Sequence, residues 1–159
     1  MILVDNEFLY IDCDVEPVVE ARTILPGMDK KTAKAVRKKP FRNVVNVHYH
    51  IVYQQRQYYI FIQQDYVWDG ATIPFGFRWI LGGKGNSAFL IPSSVHDKMC
   101  ENKHLVDYDR YLSSLIFREL LKACGCSDFK AQIMFTAVET FQKLQKGWKK
   151  VREEDAGNQ

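Results

Sequence analysis

Asn43-Val44-Val45-Asn46-Val47-His48-Tyr49-His50-Ile51-Val52-Tyr53 is the stretch that decides the fold class. Val45, Val47, Tyr49, Ile51 and Tyr53 fall at every second position, the period at which a strand sends side chains to one face. The stretch therefore predicts a half-buried strand. The polar run Gln54-Gln55-Arg56-Gln57 interrupts it, and residues 58–63 (YYIFIQ) resume with β-branched and aromatic side chains. Together they predict an antiparallel hairpin with a loop of about four residues. Upstream, residues 2–4 and 8–11 supply shorter strands. Downstream the period changes. Tyr108, Leu112, Leu115, Ile116 and Leu120 recur at helical spacing up to Gly125, a residue suited to the position past a helix end. After Ser127, a second helix places Phe129, Ile133, Ala137, Phe141, Leu144 and Trp148 on one stripe, expected to face the core. Strands first and helices after predict an α+β fold, a small antiparallel β-sheet followed by a C-terminal group of helices.

The 159 residues, 47% hydrophobic and 26% charged, fit one domain over residues 1–152 with a polar tail, 153–159, that frays. Disorder and a multidomain machine are excluded. Lys+Arg 22 against Asp+Glu 19 leaves +3, too little to make nucleic acid the main partner. Asp5 stands where a signal peptide needs a basic region, and no window reaches the length of a membrane span, so synthesis in a cytoplasm is expected. Cys13, Cys100, Cys124 and Cys126 hold one close pair, Cys-Gly-Cys, without the two-residue spacer of a zinc knuckle. Free thiols are expected.

Residues 28–40, MDKKTAKAVRKKP, predict a short helix capped by Asp29 and limited by Pro40. Lys30, Lys31, Lys34, Arg37, Lys38, Lys39 and Arg42 place seven cations in thirteen positions. A solvated helix face accounts for them. The functional alternative is a polyanion patch formed by Lys30, Lys31, Lys34, Arg37 and Lys38, without the interleaved aromatics of nucleic-acid readers.

The chemistry concentrates between Asp69 and Asp109. Asp69-Gly70-Ala71-Thr72-Ile73-Pro74 leaves the second hairpin strand in a turn, where Gly70 is free to take a left-handed conformation. Trp79 follows, then Gly82-Gly83-Lys84-Gly85-Asn86, a loop able to turn backbone carbonyls to a cation but without the full phosphate-loop pattern. Pro92 to Cys100 reads as a short helix with Pro92 in its first turn. On it His96 and Asp97 point about 100° apart and serve different partners. Asp109 points along the apolar stripe of the next helix, where a carboxylate needs a donor. His96 is the nearest motif residue able to supply one, which would make His96 a general base and Asp109 its orienting carboxylate. Asp97 is then left to hold a metal, a divalent cation such as calcium, with carbonyls of the glycine loop. The plainer alternative is that His96 and Asp109 only tie two helices together. Two further chemistries fit parts of the sequence: a phosphohydrolase drawing on His48, His50 and His104, of which the first two read better as exposed strand residues, and a Cys100 nucleophile one turn from His96, against which stands an ordinary buried thiol.

The set Asp69, Gly70, Ala71, Thr72, Ile73, Pro74, then Trp79, His96, Asp97 and Asp109 resembles the signature of small phage and prophage proteins grouped as a domain of unknown function. The resemblance covers residues 44–142 and leaves the basic segment outside. It implies a phage or mobile-element origin and no settled activity. The order of glycine loop, His96, Asp97 and Asp109 is similar to that of calcium-dependent secreted phospholipases, as an analogy of mechanism. Cys100 stands where that fold has tyrosine, its disulfides are absent, and its supporting aspartate comes later in the chain. The expectation is a phage-type hydrolase in which His96 activates water, Asp109 orients it, Asp97 positions a cation or substrate, and Asp69, Gly70, Thr72 and Trp79 line the substrate site. Its rival is a noncatalytic structural or host-interaction protein, partnered by a virion or host protein, in which the same residues stabilise the fold.

Overall fold

The computed structural model describes residues 1–70, 87–103, 108–144 and 148. Among the described residues, seven strands and one short helix precede three longer helices: β1 (Ile2–Asp5), β2 (Leu9–Cys13), β3 (Val19–Ala21), α1 (Lys30–Lys38), β4 (Phe41–Asn43), β5 (Val47–Tyr53), β6 (Arg56–Ile62), β7 (Val67–Trp68), α2 (Ser87–Asn102), α3 (Arg110–Ala123) and α4 (Asp128–Leu144). One antiparallel sheet has the order β1-β2-β5-β6, and a smaller one β3-β4-β7. The architecture is α+β.

The period-two reading of β5 holds in space. Val47, Tyr49 and Ile51 are buried with Leu9, Ile11, Ile60 and Ile62 of neighbouring strands, while His48 and His50 lie on the opposite face. That sheet face packs on Val95 and Met99 of α2 and on Leu112, Leu115, Ile116 and Leu120 of α3. A second cluster, Phe89, Phe117, Leu121, Cys126, Ala131 and Met134, joins α2, α3 and α4. Helices α2 and α3 thus cover the larger sheet, α4 packs on them through the second cluster, and all four cysteines are free.

Three local expectations are corrected. The hairpin loop has two residues rather than four: Tyr53 pairs with Arg56, and Gln54 and Gln55 both adopt positive φ, 50° and 63°. Such a turn matches the right-handed twist of its strands, so the ladder continues to its end despite the cost of two left-handed glutamines. Pro92 lies not in the first turn of a short helix but inside the sixteen-residue α2. Its ring removes a backbone donor, and the hydroxyls of Ser93 and Ser94 add donors nearby, to Leu90 O at 3.0 Å and Ile91 O at 2.8 Å. The stripe on α4 is split: Phe129, Phe141 and Leu144 are exposed, Ile133 and Trp148 pack partly buried against the core, and Ala131, Met134 and Gln142 are buried on the adjoining face. Small Ala131 lets α4 approach α3 closely, and Phe129, Phe141 and Leu144 are left outside.

Asp29 caps α1 by accepting from Thr32 N at 3.0 Å, and Gly125, with φ 89°, follows the end of α3. Gly70 takes φ 82°, the left-handed conformation expected of it. Among the described residues, no helix is long and apolar enough to cross a membrane.

Candidate functional site

Two hydrogen bonds fix where α2 stands relative to its neighbours. Trp68 Nε1, at the end of β7, donates to Ser93 Oγ at 3.0 Å, and Tyr108 OH donates to Met99 O at 2.6 Å just before α3. The first brings Asp69 near Asp97, and the second ties the entry of α3 to the far end of α2. Between these anchors α2 exposes three chemically active side chains to the helix layer, His96, Asp97 and Cys100.

His96 is 12% exposed and rests beside the ring of Phe117, 5.1 Å between centroids. Its Nδ1 lies 3.8 Å from Asp97 Oδ1, an ion-pair separation rather than a hydrogen bond. Neighbours on a helix were expected to serve separate partners, but rotation of the two side chains toward one another closes the angular gap. Cys100, one turn on, places Sγ 3.7 Å from His96 Nε2. From α4, the Gln142 amide contacts His96 Nε2 and lies 3.3 Å from Cys100 Sγ. His96 therefore meets a carboxylate, a thiol and an amide.

Gln142 continues the network. Ser113 Oγ and Ser114 Oγ each lie 3.3 Å from Gln142 Oε1; Ser113 Oγ also donates to Arg110 O at 2.9 Å, and Ser114 Oγ to Glu139 Oε2 at 2.8 Å. Arg110 pairs with Glu139. A chain of polar contacts thus runs from a partly exposed ion pair, through the buried Ser114 and Gln142, to the imidazole. Because each serine hydroxyl both donates and accepts, the amide has two workable orientations. With NH₂ toward His96, the imidazole Nε2 accepts and the ring is neutral. With Oε1 toward His96, Nε2–H donates, the amide NH₂ donates to the serines, and the ring can carry both protons.

Burial pulls the His96 pKa down, but the Asp97 carboxylate and the Cys100 sulfur outweigh it and raise the group from 6.5 to about 9. Burial also pushes the Asp97 carboxyl above its usual range, against the pull of His96 and with help from Asp69 and Glu101. Near neutrality His96 is accordingly protonated, and the proton-accepting orientation of Gln142 is the one that suits it.

Asp109 stands elsewhere in the scheme. It caps α3, accepting from Leu112 N at 2.6 Å, and the described contacts of His96 run to Asp97, Cys100, Gln142 and Phe117. The first turn of α3 has free amide donors, so a carboxylate one residue ahead of it is drawn to them. Asp69 and Gly70 are described, with Asp69 close enough to Asp97 to raise it; Thr72, Trp79, the loop Gly82-Gly83-Lys84-Gly85-Asn86 and His104 lie outside the described residues. Among the described residues, no group of three His, Cys, Asp or Glu is arranged to hold a metal ion. His48 stacks on Phe61 and bonds Asp14, while His50 stacks on Tyr59, all on the sheet face away from the helices. Lys30, Lys31, Lys34, Arg37 and Lys38 are exposed on α1.

The residues that sequence reasoning missed are Gln142, Ser113, Ser114, Glu139 and Arg110. One signal was present. Ala131, Met134, Val138 and Gln142 form a second stripe at helical spacing on α4, in which the polar member marks the site.

Residues 45–138 match the model of a family described as "Protein of unknown function (DUF1353)", which is more than half of the chain. A stretch of 73 residues is 37% identical to the uncharacterized protein y4jT of Sinorhizobium fredii, covering 46% of this chain and 21% of that protein. The chain spans about a fifth of the length of that relative. No solved structure matches it. The matched span includes His96, Asp97, Cys100 and the start of α4, and leaves α1, Glu139 and Gln142 outside.

Proposed function

The chain belongs to the DUF1353 family of proteins of unknown function, and from that premise we propose that it is a hydrolase whose proton-handling group is His96. The observation that carries this reading is the convergence of Asp97, Cys100 and Gln142 on one imidazole of raised pKa. Asp97 takes the orienting role first expected of Asp109, and Gln142 fixes the opposite edge of the ring. The attacking group is either a water held by neutral His96 or the Cys100 sulfur beside the imidazole. The two routes are separable by experiment. A water route needs His96 deprotonated, so its rate climbs until pH passes about 9. A route in which Cys100 attacks is instead lost in Cys100→Ser. Asp69 and Gly70, with Thr72 and Trp79, are assigned to the substrate side, and Asp97 would be the protein ligand if a divalent cation such as calcium takes part.

A chromogenic panel of carboxylic and phosphate esters tests the reading, with wild type compared against His96→Gln, Asp97→Asn and Cys100→Ser. Turnover by wild type that disappears in His96→Gln, with a native far-UV circular dichroism spectrum retained, is the expected result. Silence across the panel, or activity that survives His96→Gln, removes it.

A second reading is favoured by one feature: Ser113, Ser114 and Gln142 are buried and satisfied by each other, as a purely structural network would be. In that case the protein is a noncatalytic structural or host-interaction protein of phage origin. His96→Gln and Gln142→Ala then lower stability, with strong coupling in a double-mutant cycle and no accompanying activity.

A further inference from the structure

The chain leaves the smaller sheet after Ala21 and returns to it at Phe41, and the residues between make an excursion pinned at its base. Arg22 N donates to Pro40 O at 2.7 Å, and Arg22 Nη1 donates to Lys39 O at 2.9 Å. From that base the backbone runs outward to Leu25-Pro26-Gly27-Met28, a turn closed by Met28 N to Leu25 O at 3.1 Å with Gly27 at φ 84°. Nothing lies within 4 Å of where a Gly27 Cβ would stand, so the turn projects into open space. Helix α1 then carries the chain back over nine residues, roughly 13 Å of helix. Among the described residues its contacts with other helices and strands are few, and of its side chains only Ala33 and Val36 are buried. The excursion is a tongue, with the turn at its tip.

Two properties of the tongue belong together. At its tip Ile24 and Leu25 are exposed, Leu25 at 61%. Along its helix, Ala33 and Val36 face inward, while Lys30, Lys31, Lys34, Arg37 and Lys38 occupy the outward arc, about 120° wide by the helical repeat. None of these five cations has a carboxylate in ion-pair reach among the described residues, whereas Arg42, just past the base, has both Glu20 and Asp65. Lys30 and Lys31 stand at the end of the helix where its dipole disfavours cations, and Lys30/Lys34 and Lys34/Lys38 are like-charge pairs one turn apart. An isolated nine-residue helix is weakened by each of these choices, and an external array of anions relieves them all.

We propose that this tongue is a contact for the surface of an anionic phospholipid bilayer, with Leu25 and Ile24 entering the interface and the α1 cations meeting headgroup phosphates. The pairing of apolar tip and basic flank selects a lipid surface over a nucleic acid, which would match the cations but not the tip. Residues 22–40 also contain no aromatic side chain on which a base could stack. The tongue lies outside the family match and acts independently of His96.

Sedimentation of the full chain with vesicles of phosphatidylcholine, with and without phosphatidylserine, tests the proposal. Binding is expected only with phosphatidylserine, to weaken steeply as salt rises, and to fall at least about tenfold in Lys34→Glu/Arg37→Glu. Leu25→Ser, which leaves the charge intact, is expected to weaken it too. Both variants alter exposed residues, and unchanged melting temperatures verify that they fold. Failure to bind phosphatidylserine vesicles overturns the proposal. So does tighter binding to single- or double-stranded nucleic acid that follows the charge reversal but ignores Leu25→Ser.

Discussion

His96 holds its proton at a pH where an exposed imidazole has lost it, because Asp97 and Cys100 supply negative character that burial alone would not tolerate. Following the imidazole resonances by NMR across the alkaline range should give a midpoint near 9; a midpoint at or below 6.5 would show that Asp97 and Cys100 do not hold the proton. The consequence for stability has a definite sign. A folded-state pKa above the unfolded value adds stability that is fully present below about 6.5 and fades as pH rises through about 9. His96→Gln should flatten that part of the stability profile. Asp109 belongs to a different account. As the α3 cap, Asp109→Ala should cost about 1 kcal/mol in denaturant unfolding, Asp109→Ser should recover most of it, and the His96 midpoint should not move. A shifted midpoint in Asp109→Ala would return Asp109 to the role of orienting carboxylate.

At the scale of elements, α4 shows why a stripe can be read correctly as a helix and wrongly as a core. Two stripes coexist at helical spacing, and the greasier one packs Ile133 inward but leaves Phe129, Phe141 and Leu144 outside, because the face with Ala131 allows the closer approach. Phe129→Ser and Leu144→Ser should change stability by less than about 0.5 kcal/mol, whereas Met134→Ala should cost about 2–5 kcal/mol in chemical unfolding. Equal costs would place the exposed face in contact with something. The β5–β6 hairpin was legible because period two survives in any half-buried strand, but the turn was not: glutamine carries no preference for positive φ, so Gln54 and Gln55 read as ordinary loop. Gln54→Asn/Gln55→Gly should stabilise the protein by about 1 kcal/mol, measured by its melting temperature. The site was legible only along α2. His96, Asp97 and Cys100 are neighbours on one helix, but Gln142 reaches His96 across 46 residues of sequence, a distance that tertiary packing alone decides.

For the whole molecule, the strands of the larger sheet are assembled from contacts of very different range. β5 meets β6 across a two-residue turn, while β2 meets β5 only after the chain has passed through the whole tongue. Closing a flexible segment costs entropy that grows with the logarithm of its length, so the hairpin is the natural early structure and the β2–β5 ladder the late, slower one. The tongue is pinned at its base and buries only Ala33 and Val36 of its helix, so its length is more a kinetic burden than a structural support. Replacing residues 23–39 by a tight turn should therefore speed refolding by roughly two- to threefold in stopped-flow traces, with little change in the unfolding rate. On that view, the segment that reaches outward from the protein also sets the pace at which its largest sheet comes together.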